Sequence, residues 1–309
     1  KYNSSGTKQW TKQLGTSSVD KANGVATDSS GNVYVTGWTK GGLDGNTNSG
    51  DDDLFLVKYN SSGTKQWTKL LGTSMGEVGE GVTVDSSDNI YITGSTGGDL
   101  DNNTNSGGND LFLVKYNSSG TKQWTKQLGS SGSDLPMAVT VDNSSYIYVT
   151  GETYGGFDGY INGTPATGYG TDIFLVKYNS SGTKQWTKQL STSVEINCFN
   201  SCGFTDSGQG VTVDSSNNIY VAGYTYGGLD GNTSSGVVDI FLVKYLDNGT
   251  KVWTEQLGTY EDDMGLGVTV DNSSNIYVTG FTKGVLDGNT NAGNRDIVVV
   301  KYNSSGVKQ

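Results

Sequence analysis

Short apolar runs alternate with polar, glycine-rich turns along the whole chain. In one stretch "GVTVD" (residues 81–85) is followed by "SSDN". "IYITGS" (90–95) comes next, then a polar loop, "DLFLVKY" (110–116), "NSSG" and "TKQWTKQL" (121–128). Val, Ile, Tyr, Phe and Thr dominate the runs, so each reads as a β-strand, and the Asp/Ser/Asn/Gly clusters read as tight turns. In the third run Leu111 and Leu113 face one way and Phe112 and Val114 the other. A strand apolar on both faces belongs to a sheet covered on both sides. The fourth run, with Lys122, Trp124 and Lys126, is wetter. It suits an outer edge, where lysine discourages pairing with other chains. No segment carries a helical apolar period.

This four-strand unit recurs. "KYNSSGTKQWTK" and its variants begin at Lys1, Lys58, Lys115, Lys177, Lys244 and Lys301, spaced by 57, 57, 62, 67 and 57 residues. Repeats of this length built only from short strands indicate propeller blades. The expected fold is all-β: a five-bladed β-propeller of four-stranded antiparallel blades, one domain over residues 1–309. The first repeat supplies a fourth strand (7–14) and the last stops after its third, so the N-terminal strand is expected to close the ring. Because residues 1–6 and 301–306 are redundant copies in such a ring, the chain also reads as a window of a longer array.

The run "GVTVDSSDNIYITGST…DLFLVKYNSSGTKQWTKQLG" resembles the bacterial β-propeller repeat called SBBP and, more distantly, NHL repeats. The resemblance covers all five units. It implies a secreted or surface-attached bacterial protein, extracellular or at the cell surface, with any anchor outside this window. It supplies no catalytic motif.

Composition narrows the chemistry. The chain has no histidine, which removes the usual general base near neutral pH, Ser-His and Cys-His nucleophile pairs and most zinc sites. Net charge is −11 and Arg295 is the only arginine, so nucleic acid is not an expected partner. No run of apolar residues is long enough for a transmembrane helix. Cys198 and Cys202 lie four apart in "CFNSC". Two readings stay open for them, a small loop disulfide in an oxidising compartment and a pair of free thiols.

Differences among the repeats point to function. Variation gathers in the loop between the second and third strands and in the loop leading to the next blade. Both are enlarged at one place, "GGFDGYINGTPATGYGTD" (155–172) and "STSVEINCFNSCGFTDSGQ" (191–209), so the two insertions are expected side by side. Aromatic residues end the second strands or follow them. The candidate ligand-binding set is Trp38, Glu152, Tyr154, Tyr160, Tyr169, Phe199, Phe204, Tyr224, Tyr226 and Phe281. Rings with interspersed polar groups suit a glycan or protein ligand. A further variable position lies just before the first strand: Asn23, Glu80, Met137, Gln209 and Leu266.

The second-to-third-strand loop also carries oxygen side chains at alternate positions, the opening spacing of a calcium loop. They are Asp44, Asn46, Asn48 and Asp53; Asp101, Asn103, Asn105 and Asp110; and Asp287, Asn289, Asn291 and Asp296. Asx turns account for the same residues without metal, and the bidentate Glu of an EF-hand is missing. The leading functional expectation is a non-enzymatic binding propeller. The alternatives are a carboxylate-based glycoside hydrolase using unrepeated acids such as Glu80, Glu152 and Glu195, and a structural module of a surface array.

Overall fold

A computed structural model of the chain describes residues 1–160, 170–192 and 205–309. The described residues form four antiparallel sheets of four strands and one of three, each with its strands in sequence order. This is the sheet content of a five-bladed β-propeller. The chain divides into two compact units, Lys1–Leu128 and Gly129–Gln309.

The first unit holds two sheets. One contains β1 (Asp20–Thr27), β2 (Val33–Thr39), β3 (Asp53–Tyr59) and β4 (Lys65–Leu71). The other contains β5 (Glu77–Val84), β6 (Ile90–Thr96), β7 (Asp110–Tyr116) and β8 (Lys122–Leu128). Tyr34, Leu54 and Leu56 of the first sheet pack against Val82, Ile90, Ile92 and Val114 of the second. Both faces of β7 are therefore buried, as its two-sided apolar pattern requires.

The second unit repeats the arrangement. One sheet has β9 (Asp134–Val141), β10 (Ile147–Thr153), β11 (Asp172–Tyr178) and β12 (Lys184–Leu190). The next has β13 (Ser207–Val213), β14 (Ile219–Thr225), β15 (Asp239–Tyr245) and β16 (Lys251–Leu257). The last has β17 (Asp263–Val270), β18 (Ile276–Thr282) and β19 (Asp296–Tyr302).

The turn residues do what their types allow. One oxygen of Asp85 accepts the backbone N–H groups of Ser87 and Asn89, each at 2.9 Å, and the other accepts the Tyr91 hydroxyl at 2.9 Å. Asp28, Asp142, Asp214 and Asp271 each accept the equivalent tyrosine hydroxyl. The aspartate that ends every first strand is thus a turn-closing acceptor, as expected of a residue present in all repeats.

The recurring "KYNSSG…W" words are stitches between neighbouring sheets. The Lys58 ammonium donates to the Ser118 carbonyl in the next sheet's hairpin, at 3.0 Å. The ring of Trp67 lies against Gly120 of that hairpin, at a φ of 79° that favours glycine. The second unit repeats both contacts, Lys244 to Ser304 and Trp186 on Gly249.

One expectation changes. The first strands begin earlier than the apolar pattern indicates: β5 starts at Glu77, and Glu80 lies inside it, not before it. The reason is a β-bulge. The ladder skips from Gly79 to Gly81, leaving Glu80 unpaired, and Asn23, Gln209 and Leu266 are skipped in the same way. The strand signal fades there because glycines flank the bulge.

At the chain ends, Tyr302 pairs with Lys308 and Tyr2 with Lys8, each within its own hairpin, as the equivalent residues do in the internal repeats. Each terminal copy of "KYNSSG" closes its turn locally, Gly6 N–H to Asn3 and Gly306 N–H to Asn303, each at 3.0 Å. Among the described residues the ladder of the last sheet holds β17, β18 and β19.

Candidate functional site

Four of the five first strands open with an acid that the sequence reading did not single out, and in the fifth Asp206 directly precedes the strand. Glu77, fully buried, accepts the Thr73 N–H at 2.6 Å and the Thr96 hydroxyl at 2.7 Å. It ties the incoming loop to the end of β6. Asp20, Asp134 and Asp263 accept from Thr16, Ser130 and Thr259 in the same way. The signal was an acid recurring four residues after a Ser or Thr.

At the enlarged loop this clamp persists across a longer distance. Asp206 accepts the Thr192 N–H at 2.9 Å and the Thr225 hydroxyl at 2.8 Å. Burial pushes its carboxyl up, against the hydrogen bonds from Thr225, Thr192 and Tyr226. Thr171, at the end of the other insertion, forms a parallel bridge with Thr205, and the Asp206 N–H donates to the Thr171 carbonyl at 3.1 Å. The bases of the two insertions are therefore joined, as their sequence positions suggested.

Beside this junction lie Glu152 at the end of β10, Ser207 and Gln209 on β13, and Tyr224 at the end of β14. Glu152 is 8 % exposed. Burial raises its carboxyl, and a hydrogen bond with Ser207 opposes the rise. Ser207 also faces Tyr224, whose hydroxyl is raised first by burial and then by the nearby Glu152, Tyr226 and Tyr154. The Gln209 amide donates to the Ser207 hydroxyl at 2.7 Å. Gln209 is the bulged residue, which turns its side chain out of the ladder register toward this group. Tyr154 is 43 % exposed and Tyr226 half-buried, and both lie near Tyr224.

The structure thus brings together Glu152, Tyr154, Tyr224 and Tyr226 of the sequence-predicted set. It adds Ser207 and Gln209, which lay outside that set. It places Tyr160 elsewhere, within electrostatic reach of Tyr245. The ring face of Phe281 is covered by the Arg295 guanidinium, 4.3 Å from its centroid. Trp38 is half-buried in the first unit. Tyr169, Phe199, Phe204, Glu195 and the Cys198–Cys202 pair lie outside the described residues.

The residues of the calcium-loop reading have protein partners in the structure. Asp44 forms an ion pair with Lys65 and accepts the Thr68 hydroxyl at 2.8 Å. Asp101 pairs with Lys122 and Thr125, and Asp287 with Lys308. Asn46, Asn103 and Asn289 turn their amide N–H groups to the carbonyls of Leu43, Leu100 and Leu286, at 2.9, 2.7 and 2.9 Å. Asn48, Asn105 and Asn291 likewise donate to loop carbonyls. Asp53, Asp110 and Asp296 each accept the N–H of the residue four before them, 2.8, 2.9 and 2.6 Å away. Burial pushes the carboxyls of Asp53 and Asp110 up, and each keeps one buried oxygen without a partner. Alternate spacing placed these oxygens in one loop, but folding turns them to different partners. Among the described residues no cluster of three or more acids or cysteines is placed to hold a metal ion.

Comparison with known proteins agrees with this architecture. The β-propeller repeat family SBBP matches residues 9–44, 66–101, 123–158, 185–230 and 252–287, more than half of the chain. An uncharacterized WD repeat-containing protein of Acanthamoeba polyphaga mimivirus is 25 % identical over 80 % of this chain and 23 % of its own length. The regulatory protein FlaEY of Caulobacter vibrioides is 26 % identical over 55 % of this chain and 19 % of its own. The aligned region thus spans about a fifth of the length of these curated relatives. Two solved structures align over 93 % of the chain. A Bacteroides caccae protein of unknown function is 8 % identical, with a TM-score of 0.45 over 79 % of that chain. A gluconolactonase of Xanthomonas campestris is 11 % identical, with a TM-score of 0.46 over 74 % of that chain. With five sheets in the structure and five matched repeats in the sequence, the chain belongs to the SBBP β-propeller repeat family.

Proposed function

We propose that the chain is a non-enzymatic binding module, extracellular or at a bacterial surface, that holds a hydroxyl-rich ligand of the glycan class beside Glu152. The observation that carries this is the Ser207 hydroxyl set between the buried Glu152 carboxyl and Tyr224, with Tyr154 and Tyr226 alongside. Tyrosine rings offer flat apolar faces to sugar C–H groups, while the hydroxyls, the Gln209 amide and the carboxyl orient sugar hydroxyls. The chain's net charge of −11 disfavours polyanions.

Glycoside hydrolysis needs a second carboxyl about 5–10 Å from the first, one serving as acid and the other as base or nucleophile. Burial raises the Glu152 carboxyl and Ser207 opposes the rise, so the release of sugar on incubation separates binding from turnover.

Screening the intact chain against a glycan panel, followed by calorimetry, tests it. Expected is saturable binding that Tyr154→Ala and Tyr226→Ala weaken at least fivefold, with no sugar released on long incubation. Binding to a protein but no glycan would replace the ligand class. Unchanged affinity in both variants would remove the site.

A further inference from the structure

Two repeats depart from the common pattern at positions that meet on one buried lysine. In the turn after the first strand, Asn32, Asn89, Asn218 and Asn275 each donate a side-chain amide N–H to the turn aspartate. The third repeat has Tyr146 at this position. In the hairpin between the third and fourth strands, the equivalent of Ser61, Ser118, Ser180 and Ser304 is Asp247 in the fourth repeat. Tyr146 belongs to the third sheet and Asp247 to the fourth, and both reach Lys177 of β11.

Lys58 and Lys244, the counterparts of Lys177, each donate to a hairpin carbonyl of the next sheet. Lys177 keeps that contact, to the Asp247 carbonyl at 3.1 Å, and adds two more. Its ammonium lies 4.0 Å from the centre of the Tyr146 ring and 2.5 Å from the Asp247 carboxylate. The Tyr148 hydroxyl is shared between the Asp142 and Asp247 carboxylates, 2.9 Å from each. The acid of the fourth sheet is thus held at two points by the third. The Lys177 side chain is 4 % exposed, against 12 % for Lys58.

The two departures depend on each other. A ring over the ammonium takes water away from it, which is costly for a charge without a partner. The carboxylate supplies the partner, and the ring face adds a cation–π attraction. Asp247 beside an ammonium still open to water would be a surface pair of little worth. We propose that Tyr146 and Asp247 form a lock on Lys177, and that it holds the third and fourth sheets together more firmly than the fourth and fifth, or the first and second, are held. The lock sits towards one end of β11, and the Thr171–Thr205 bridge lies just before the other end. It therefore fixes the two sheets from which both insertions spring, and whose second strands carry Glu152 and Tyr224.

Hydrogen exchange of the intact chain, read by mass spectrometry on peptides from β10, β11, β14 and β15, tests this. Asp247→Ser introduces the residue that the other hairpins carry, so the chain should still fold, which circular dichroism checks. It leaves a buried ammonium without its acid and should speed exchange in these strands about tenfold, while β3 and β7 keep the wild-type rate. Asp247→Asn keeps the shape without the charge and should lose most of the same protection. Adding Tyr146→Asn to Asp247→Ser opens the ammonium to water again and should return part of it. Wild-type exchange in Asp247→Ser, or a Tyr146→Asn change that adds to its loss, would overturn the inference. Equal speeding of every strand would also overturn it, because that reports the stability of the whole chain and not of one seam.

Discussion

Asp44, held at a φ of 58° in the turn after β2, forms its ion pair with Lys65 of β4. The same pairing recurs as Asp101 with Lys122, Asp158 with Lys184, Asp230 with Lys251 and Asp287 with Lys308. Asp44→Ala is therefore expected to lower stability by about 1 kcal/mol, the scale of a half-exposed, hydrogen-bonded ion pair. The loss should shrink in high salt. Because the pair uses lysine rather than metal, a chelator should leave the melting temperature of wild type unchanged. A chelator-induced drop in scanning calorimetry would favour the calcium reading.

Acid should weaken the turns. For Asp85, burial works against the charge, but hydrogen bonds from Asn89, Tyr91 and Ser87 outweigh it and hold the carboxyl below its usual range. Asp271 is held at about 2, chiefly by the Asn275 side chain. A carboxyl lowered by folding contributes stability that is complete above its unfolded value, near 3.9, and is lost as pH falls through its folded value. The melting temperature should thus fall from about pH 4 to pH 2. Asp85→Asn should make the limb shallower; an unchanged limb would assign it to other groups.

Removing residues 1–14 should destabilise the first unit. Trp10 lies on Gly63 and its indole N–H donates to the Ser61 carbonyl at 3.2 Å, while Leu14 packs with Phe55 and Val57. A loss of about 3–5 kcal/mol is expected, comparable to truncating a large packed side chain. Trp10→Ala should account for much of it. A truncated chain melting at the wild-type temperature would show that the segment contributes little.

Gly94 should tolerate no side chain. A Cβ there would meet the Val78 carbonyl oxygen at 2.0 Å, and Gly223 faces the Ser207 carbonyl at 1.9 Å in the same way. Both oppose a bulge. Gly94→Ala should cost several kcal/mol in chemical unfolding, since backbone rather than a flexible side chain is in the way. A cost under about 1 kcal/mol would mean that the bulge relaxes easily.

Glu152→Gln separates charge from shape at the candidate site. Loss of the buried carboxyl removes its influence on Tyr224, so the Tyr224 hydroxyl should titrate lower in the variant. Ultraviolet difference titration reads this directly, and an unmoved tyrosine would place Glu152 away from it.

Much of the fold was legible because each strand is stated several times. Leu111–Val114 and their counterparts repeat a two-sided apolar pattern that only a covered sheet explains. Neither the bulge at Glu80 nor the clamp at Glu77 showed as part of a strand, since flanking glycine weakens the local signal. The pairing of Asp44 was not legible, because alternate spacing describes a flat sequence, whereas Lys65 is 21 residues away. The junction of Thr171 with Thr205 was legible from where the insertions fall, but Ser207 was not, because a serine beside a glycine carries no chemistry of its own.

The unpaired residue of each bulge frees one position per repeat from the ladder that fixes its neighbours. Asn23, Glu80, Gln209 and Leu266 differ in charge, size and polarity, yet the strands around them keep their register. A duplicated unit can therefore acquire a new side chain there without renegotiating its folding. The repeat works as a row of interchangeable sockets, and a new specificity could be written into one of them while the others stay as they are.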